Sequence, residues 1–175
     1  ETVVLATHNP QKLEELSAVF NSAAVKFELA SSYGLTPPVE TGATLFENAL
    51  LKAAFVARAT GKPALADDSG LFVDELGGNP GVYTADWGKP ESIAIEKIRE
   101  GLGGQLTAAA SFQTCVVLIW PDGYVFSAHS TLPGKIDLSY SATPTNFDEI
   151  FTPLGYDCTL SAMTIDKKNA ISHRG

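Results

Sequence analysis

The stretch Leu65 to Val82, reading LADDSGLFVDELGGNPGV, constrains this chain most. A short apolar run meets two adjacent carboxylates, Asp67 and Asp68. Ser69 and Gly70 follow, and a second apolar run covers Leu71 to Val73. Apolar flanks and a Ser-Gly pair predict strand, acidic turn, strand. Carboxylates held between buried strands suit a divalent cation, because Mg²⁺ takes oxygen ligands from one or two carboxylates and from substrate phosphates. The bland alternative is an Asp-rich turn whose side chains bond their own backbone. The rest of the chain decides between them.

At 175 residues the sequence is expected to form one domain over 1–175, with room for a substantial core. A hydrophobic content of 45% with 18% charged residues fits an ordinary globular protein, and no apolar run is long enough to span a bilayer. No secretory leader is recognisable, and the two cysteines, Cys115 and Cys158, have no metal-ligand spacing. A cytoplasmic location is expected. The net charge of −8 argues against sequence-independent nucleic-acid binding, which needs Lys and Arg against phosphates. A small phosphorylated ligand needs only a local cation cluster or a metal ion, so it stays open.

Taken in order, Thr2 to Thr7 is a β-branched first strand. His8-Asn9-Pro10-Gln11-Lys12 then opens a helical pattern on Leu13, Leu16, Val19 and Phe20. Asn9 suits the N-cap and Pro10 the first helical position. The free N–H groups of such a start favour an anion, and Lys12 adds a point charge; the alternative is a plain capped junction with a solvated lysine. Val25 to Leu29 reads as a second strand and 31–43 as a loop ending in Glu40-Thr41-Gly42. Thr44 to Thr60 is a long Ala-rich helix, with Thr44 and Glu47 spaced as a capping box. Asn48 and Lys52 share a face one turn apart. Lys52 is a solvated side chain unless that face lines a cleft.

Residues 77–81 are a dense Gly/Pro break, and 90–100 a helix with Ile93, Ile95 and Ile98 partly in register. Ala108 to Trp120 and Tyr124 to Thr131 form an antiparallel hairpin through Pro121-Asp122-Gly123, with Pro133-Gly134 ending the second strand. Residues 139–149 are polar and loop-like. These elements predict an α/β or α+β domain on a mixed sheet. An anion-binding start at 7–12, the acids Glu40, Asp67 and Asp68, and the basic residues Lys168, His173 and Arg174 together suit a metal-bridged polyphosphate.

The pieces ATHNPQK at 6–12, ETGATLFENALLKA at 40–53, ALADDSGLFVDELGGNPGVYTA at 64–85 and KNAISHRG at 168–175 resemble the Ham1 family of inosine triphosphate pyrophosphatases, in order and spacing, over most of the chain. The resemblance implies two lobes around an elongated mixed sheet, a central cleft, a homodimer and Mg²⁺ dependence. It implies hydrolysis of ITP, dITP and XTP between the α- and β-phosphates. It places Thr7, Asn9 and Lys12 on the triphosphate, with His8 as a further substrate contact and Lys52 as an added phosphate contact, and Glu40 and Asp68 on the metal. Asp68 is also the implied general base. Ser69, Phe147, Asp148, Lys168, His173 and Arg174 are the implied remaining nucleotide contacts. Two departures stand out. The family's Gly-Phe-Gly-Tyr-Asp-Pro-type segment is reduced at 144–149 to Phe147 and Asp148, without both glycines, the first aromatic and the proline. Asp86 also replaces an arginine common in relatives. The first departure keeps a catalytically weak purine-nucleotide binder in play; a pyrophosphatase for other modified nucleotides is a third reading, against which the SHRG ending argues.

Overall fold

A computed structural model describes residues 2–7, 25–140 and 143–171. The helical pattern read after Thr7, with His8, Asn9 and Lys12, lies outside the described residues, as do His173 and Arg174. Six strands form one mixed sheet in the order β2-β1-β3-β4-β5-β6. They are β1 (Thr2–Leu5), β2 (Lys26–Leu29), β3 (Ala64–Val73), β4 (Thr107–Ile119), β5 (Val125–Asp137) and β6 (Phe151–Pro153). Three α-helices occur among the described residues: α1 (Leu45–Thr60), α2 (Glu91–Gly101) and α3 (Ile165–Ile171). None is long and apolar enough to cross a membrane.

The chain divides into two compact units, 1–68 with 115–129, and 69–114 with 130–175. In the first unit β1 runs parallel to β2, with Val3 opposite Phe27, and parallel to the start of β3, with Leu5 opposite Leu65. Val3, Val4 and Leu5 are all buried, as a parallel strand flanked on both sides requires. Helix α1 starts where the sequence says it should. The Thr44 hydroxyl accepts the Glu47 N–H at 3.1 Å, and Glu47 Oε2 accepts the Ala43 N–H at 2.6 Å. The side chain thus reaches one residue beyond the usual capping-box partner. Leu45, Asn48, Ala49, Ala53, Val56 and Ala57 form its buried stripe at helical spacing. Val56 and Ala57 pack with Val4, Ala30 and Ala64.

The second unit holds the larger core. Ala94, Ile95 and Ile98 of α2 pack with Leu71 and Val73 of β3, Ile136 of β5, and Ile150 and Phe151. Each fully buried Leu, Ile, Val or Phe among them contributes roughly 1.5–3 kcal/mol. Ile93 points outward, leaving Ala94 on the apolar stripe instead.

Two local expectations are corrected. The acidic turn does not exist: Ala64 to Val73 is one unbroken strand. A Cβ on Gly70 would collide with the Gly81 carbonyl, so this glycine serves close backbone approach rather than a turn. Thr84 Oγ1 secures the same place by accepting the Leu71 N–H at 2.9 Å and donating to the Gly81 carbonyl at 2.6 Å. Strand β5 likewise continues through Pro133-Gly134 to Asp137. Gly134 opposes Pro153 and Ile136 opposes Phe151 in an antiparallel pair, and the Pro133 carbonyl accepts the Leu154 N–H at 2.9 Å. A proline survives there because its carbonyl still joins the network.

Candidate active site

The straightened β3 changes how its two acids are presented. Successive strand side chains face opposite ways, so Asp67 and Asp68 cannot act as a pair on one turn. Asp68 meets helix α1 instead. Its Oδ2 accepts from Asn48 Nδ2 at 3.2 Å, and its Oδ1 lies 3.3 Å from Lys52 Nζ. The same ammonium lies 3.1 Å from Glu40 Oε1. Lys52 is therefore no solvated lysine: it sits one turn beyond Asn48, and its side chain is only 12% exposed, as is that of Asp68. Two carboxylate oxygens from separate segments thus converge on one cation.

Burial pushes the Asp68 carboxyl above its ordinary value, and the Glu40 charge adds to this. The Lys52 ammonium and the Asn48 amide oppose it by favouring the ionised form. A carboxyl raised in this way is a better proton acceptor than an ordinary aspartate.

Asn48 is the residue that sequence reasoning missed. It is 3% exposed and the one polar side chain on the buried stripe of α1. Its Oδ1 accepts the Gly42 N–H at 2.7 Å. The available signal was a lone asparagine at apolar helical positions, one turn before a lysine.

Thr7 lies two residues past the end of β1, beside Ala6, whose N–H reaches the Leu65 carbonyl at 2.8 Å. In the second unit the Ser69 hydroxyl is hydrogen-bonded to Thr114 of β4, a buried polar residue. Asp148 is paired with Lys168 of α3, each about one-third exposed. The segment carrying Asp148 is a short 3₁₀ turn, Phe147–Glu149. Its entry is fixed by Glu91, at the start of α2, whose Oε2 accepts the Phe147 N–H at 2.9 Å. The Phe147 ring is 5% exposed and sits edge-on to Phe112 at 6.4 Å, inside the core. Cys115 is fully buried, and burial pushes its thiol up, as expected of a core cysteine.

The six-stranded sheet and its acid-bearing central strand define a fold already known in solved structures. A HAM1 protein from Coxiella burnetii superposes with a TM-score of 0.90 at 32% identity, covering 99% of this chain and 92% of that one. The Staphylococcus aureus Ham1 protein gives 0.87 at 30% identity, again over 99% and 92%. Among curated proteins, the dITP/XTP pyrophosphatase of Ruegeria pomeroyi is 39% identical over 183 residues, 99% of this chain and 90% of that protein. That of Rhodospirillum centenum is 38% identical over 181 residues, with 99% and 89% covered. The sequence profile of the Ham1 family matches residues 3–175, and the chain belongs to that family.

Proposed function

We propose that this protein hydrolyses dITP, XTP and ITP to the monophosphate and pyrophosphate, all 175 residues forming one catalytic domain. The observation that carries the chemistry is the convergence of Glu40 and Asp68 on a single cation, 3.1 and 3.3 Å from Lys52 Nζ. The near-full-length similarity to dITP/XTP pyrophosphatases supports the substrate class.

The donor set fits Mg²⁺. Two carboxylates from different segments already share one cation, and the remaining ligands of a Mg²⁺ ion commonly come from water and substrate phosphates. Glu40 and Asp68, which already meet at one cation, are the residues that would hold the ion. Bound there, Mg²⁺ would neutralise phosphate charge and polarise the oxygens around the scissile bond. Asp68, its carboxyl raised by burial, takes the proton of the attacking water. Lys52 offsets the charge that builds on the phosphates. Thr7, His8, Asn9 and Lys12 receive the triphosphate, and Ser69 binds beside it. Asp148, Lys168, His173 and Arg174 take the base side. With Phe147 in the core, Asp148 and its Lys168 partner carry the base-side contact within that segment. Selection of a 6-keto base by polar groups is steep, because the wrong base leaves them unpaired. A homodimer with two lobes around a cleft, working in the cytoplasm where Cys115 and Cys158 stay free, completes the proposal.

The test is pyrophosphate release from XTP and dITP with Mg²⁺, beside ATP and GTP. Release from the deaminated nucleotides is expected to be far faster. Equal turnover of ATP would overturn the selectivity, and tight binding without release would make the protein a binder rather than a catalyst.

A further inference from the structure

We infer that Asn48 is a positioning residue that sets Asp68 and the Glu40 segment in register with one another. This rests on the proposed function. The two ends of its amide have no choice of partner. A backbone N–H can only donate, so the amide oxygen faces Gly42 at 2.7 Å. An ionised carboxylate can only accept, so the amide nitrogen faces Asp68 at 3.2 Å. One rigid side chain on α1 therefore ties the loop two residues after Glu40 to the strand that carries Asp68. With Oδ2 held by Asn48, Asp68 keeps Oδ1 directed at the ammonium that Glu40 also meets.

The clamp is tightly fitted. Asn48 is buried, so each of its bonds is made out of water, where a missing partner costs most. A Cβ on Gly42 would lie 2.6 Å from Asn48 Oδ1 and 2.8 Å from the Asn48 nitrogen, so the loop approaches the amide only because residue 42 has no side chain. No isosteric residue serves both ends. Aspartate keeps the acceptor but sets a second carboxylate against Asp68, and leucine keeps the shape but satisfies neither partner.

Three variants test the clamp. Asn48→Asp keeps the acceptor for the Gly42 N–H but replaces the donor to Asp68 with a second carboxylate. Asn48→Ala removes both bonds. Gly42→Ala displaces the loop while leaving the Asn48 side chain intact. XTP turnover with saturating Mg²⁺ is measured at a temperature where circular dichroism shows each variant folded, and hydrogen exchange at the residue 42 amide is followed by NMR. Small misplacements of catalytic groups are costly, so Asn48→Asp is expected to lower kcat about 100-fold while KM stays within about threefold. The residue 42 amide should stay protected in Asn48→Asp and exchange freely in Asn48→Ala and Gly42→Ala. Wild-type kcat in folded Asn48→Asp and Gly42→Ala would overturn the inference, as would protection of that amide in Asn48→Ala. If the unmodified protein releases no pyrophosphate, the functional reading fails, yet the exchange data still decide whether Asn48 holds the loop. If it is active and Asp68→Asn is inert while Asn48→Asp keeps full kcat, the clamp alone is refuted.

Discussion

Two lysine–carboxylate pairs, one in each unit, are built to opposite specifications. Lys52 and Asp68 are both 12% exposed, and they stand on a sixteen-residue helix and a ten-residue strand. Lys168 and Asp148 are about three times as exposed, and they stand on a seven-residue helix and a single 3₁₀ turn. Asp68 is further tied by a buried amide. The turn bearing Asp148 is tied through a backbone N–H to Glu91, an exposed side chain. The sequence departs from the family pattern at 144–149 and keeps it at 40–53 and 64–73. Groups that must hold a water and a phosphate to fractions of an ångström belong on rigid elements, whereas recognition tolerates a softer mount. On the proposed function, the difference places the tolerance for change on the side assigned to ligand recognition.

If that contrast is right, the largest effect comes from the rigid side. Asp68→Asn should cut kcat roughly 1,000-fold, within the usual span for a proton-transfer group, with an unchanged circular dichroism spectrum. A variant that keeps its turnover would remove Asp68 from the chemistry and dissolve the comparison. Next, Glu91→Ala leaves the Phe147 N–H without its acceptor and should loosen only the recognition side. KM for XTP is expected to rise about 3- to 10-fold, the net scale of one ordinary hydrogen bond, with kcat nearly constant. An equal fall in kcat would mean that the two sides are not separable.

The smallest effect serves as an outside control, on an acid that belongs to neither pair. Glu28 accepts from Lys26 at 2.6 Å and is hydrogen-bonded to Tyr33, which hold its carboxyl down at about 2 against an ordinary 4.5. The native state therefore binds this proton less readily than the unfolded chain. The stability it contributes is complete above pH 4.5 and is lost as pH falls toward 2. Glu28→Gln should lower Tm slightly at pH 6, and the gap from wild type should shrink by pH 3. A gap that stays constant would show that the pairing does not govern stability.

Much of this was legible before any coordinates. The Thr44–Glu47 spacing gave the start of α1, and its Ala-rich composition gave its helical state. The acids Glu40 and Asp68 stood in recognisable surroundings. The straightening of β3 was not legible, because Ser69-Gly70 is a turn signal locally. What overrides it is a neighbour eleven residues on, whose carbonyl needs the space above Gly70. The continuation of β5 through Pro133-Gly134 was hidden for the same reason, since its partner β6 lies some twenty residues away. The burial of Phe147 depends on Phe112, which no local pattern links to it. Asn48 was visible as a neighbour of Lys52, but an asparagine reads as polar surface until its face is known to be inside.

Helix α1 also works as a measuring rod. Asn48 and Lys52 reach the same acid because a whole turn separates them, and Glu47 closes back on Ala43 over a fixed span. Adding or deleting one residue between 48 and 52 would swing the lysine by roughly 100° about the helix axis, off Asp68 altogether. Many side chains along this helix can be exchanged, but its count of residues cannot. Natural variation here should therefore take the form of replacements, with insertions and deletions confined to the loops on either side.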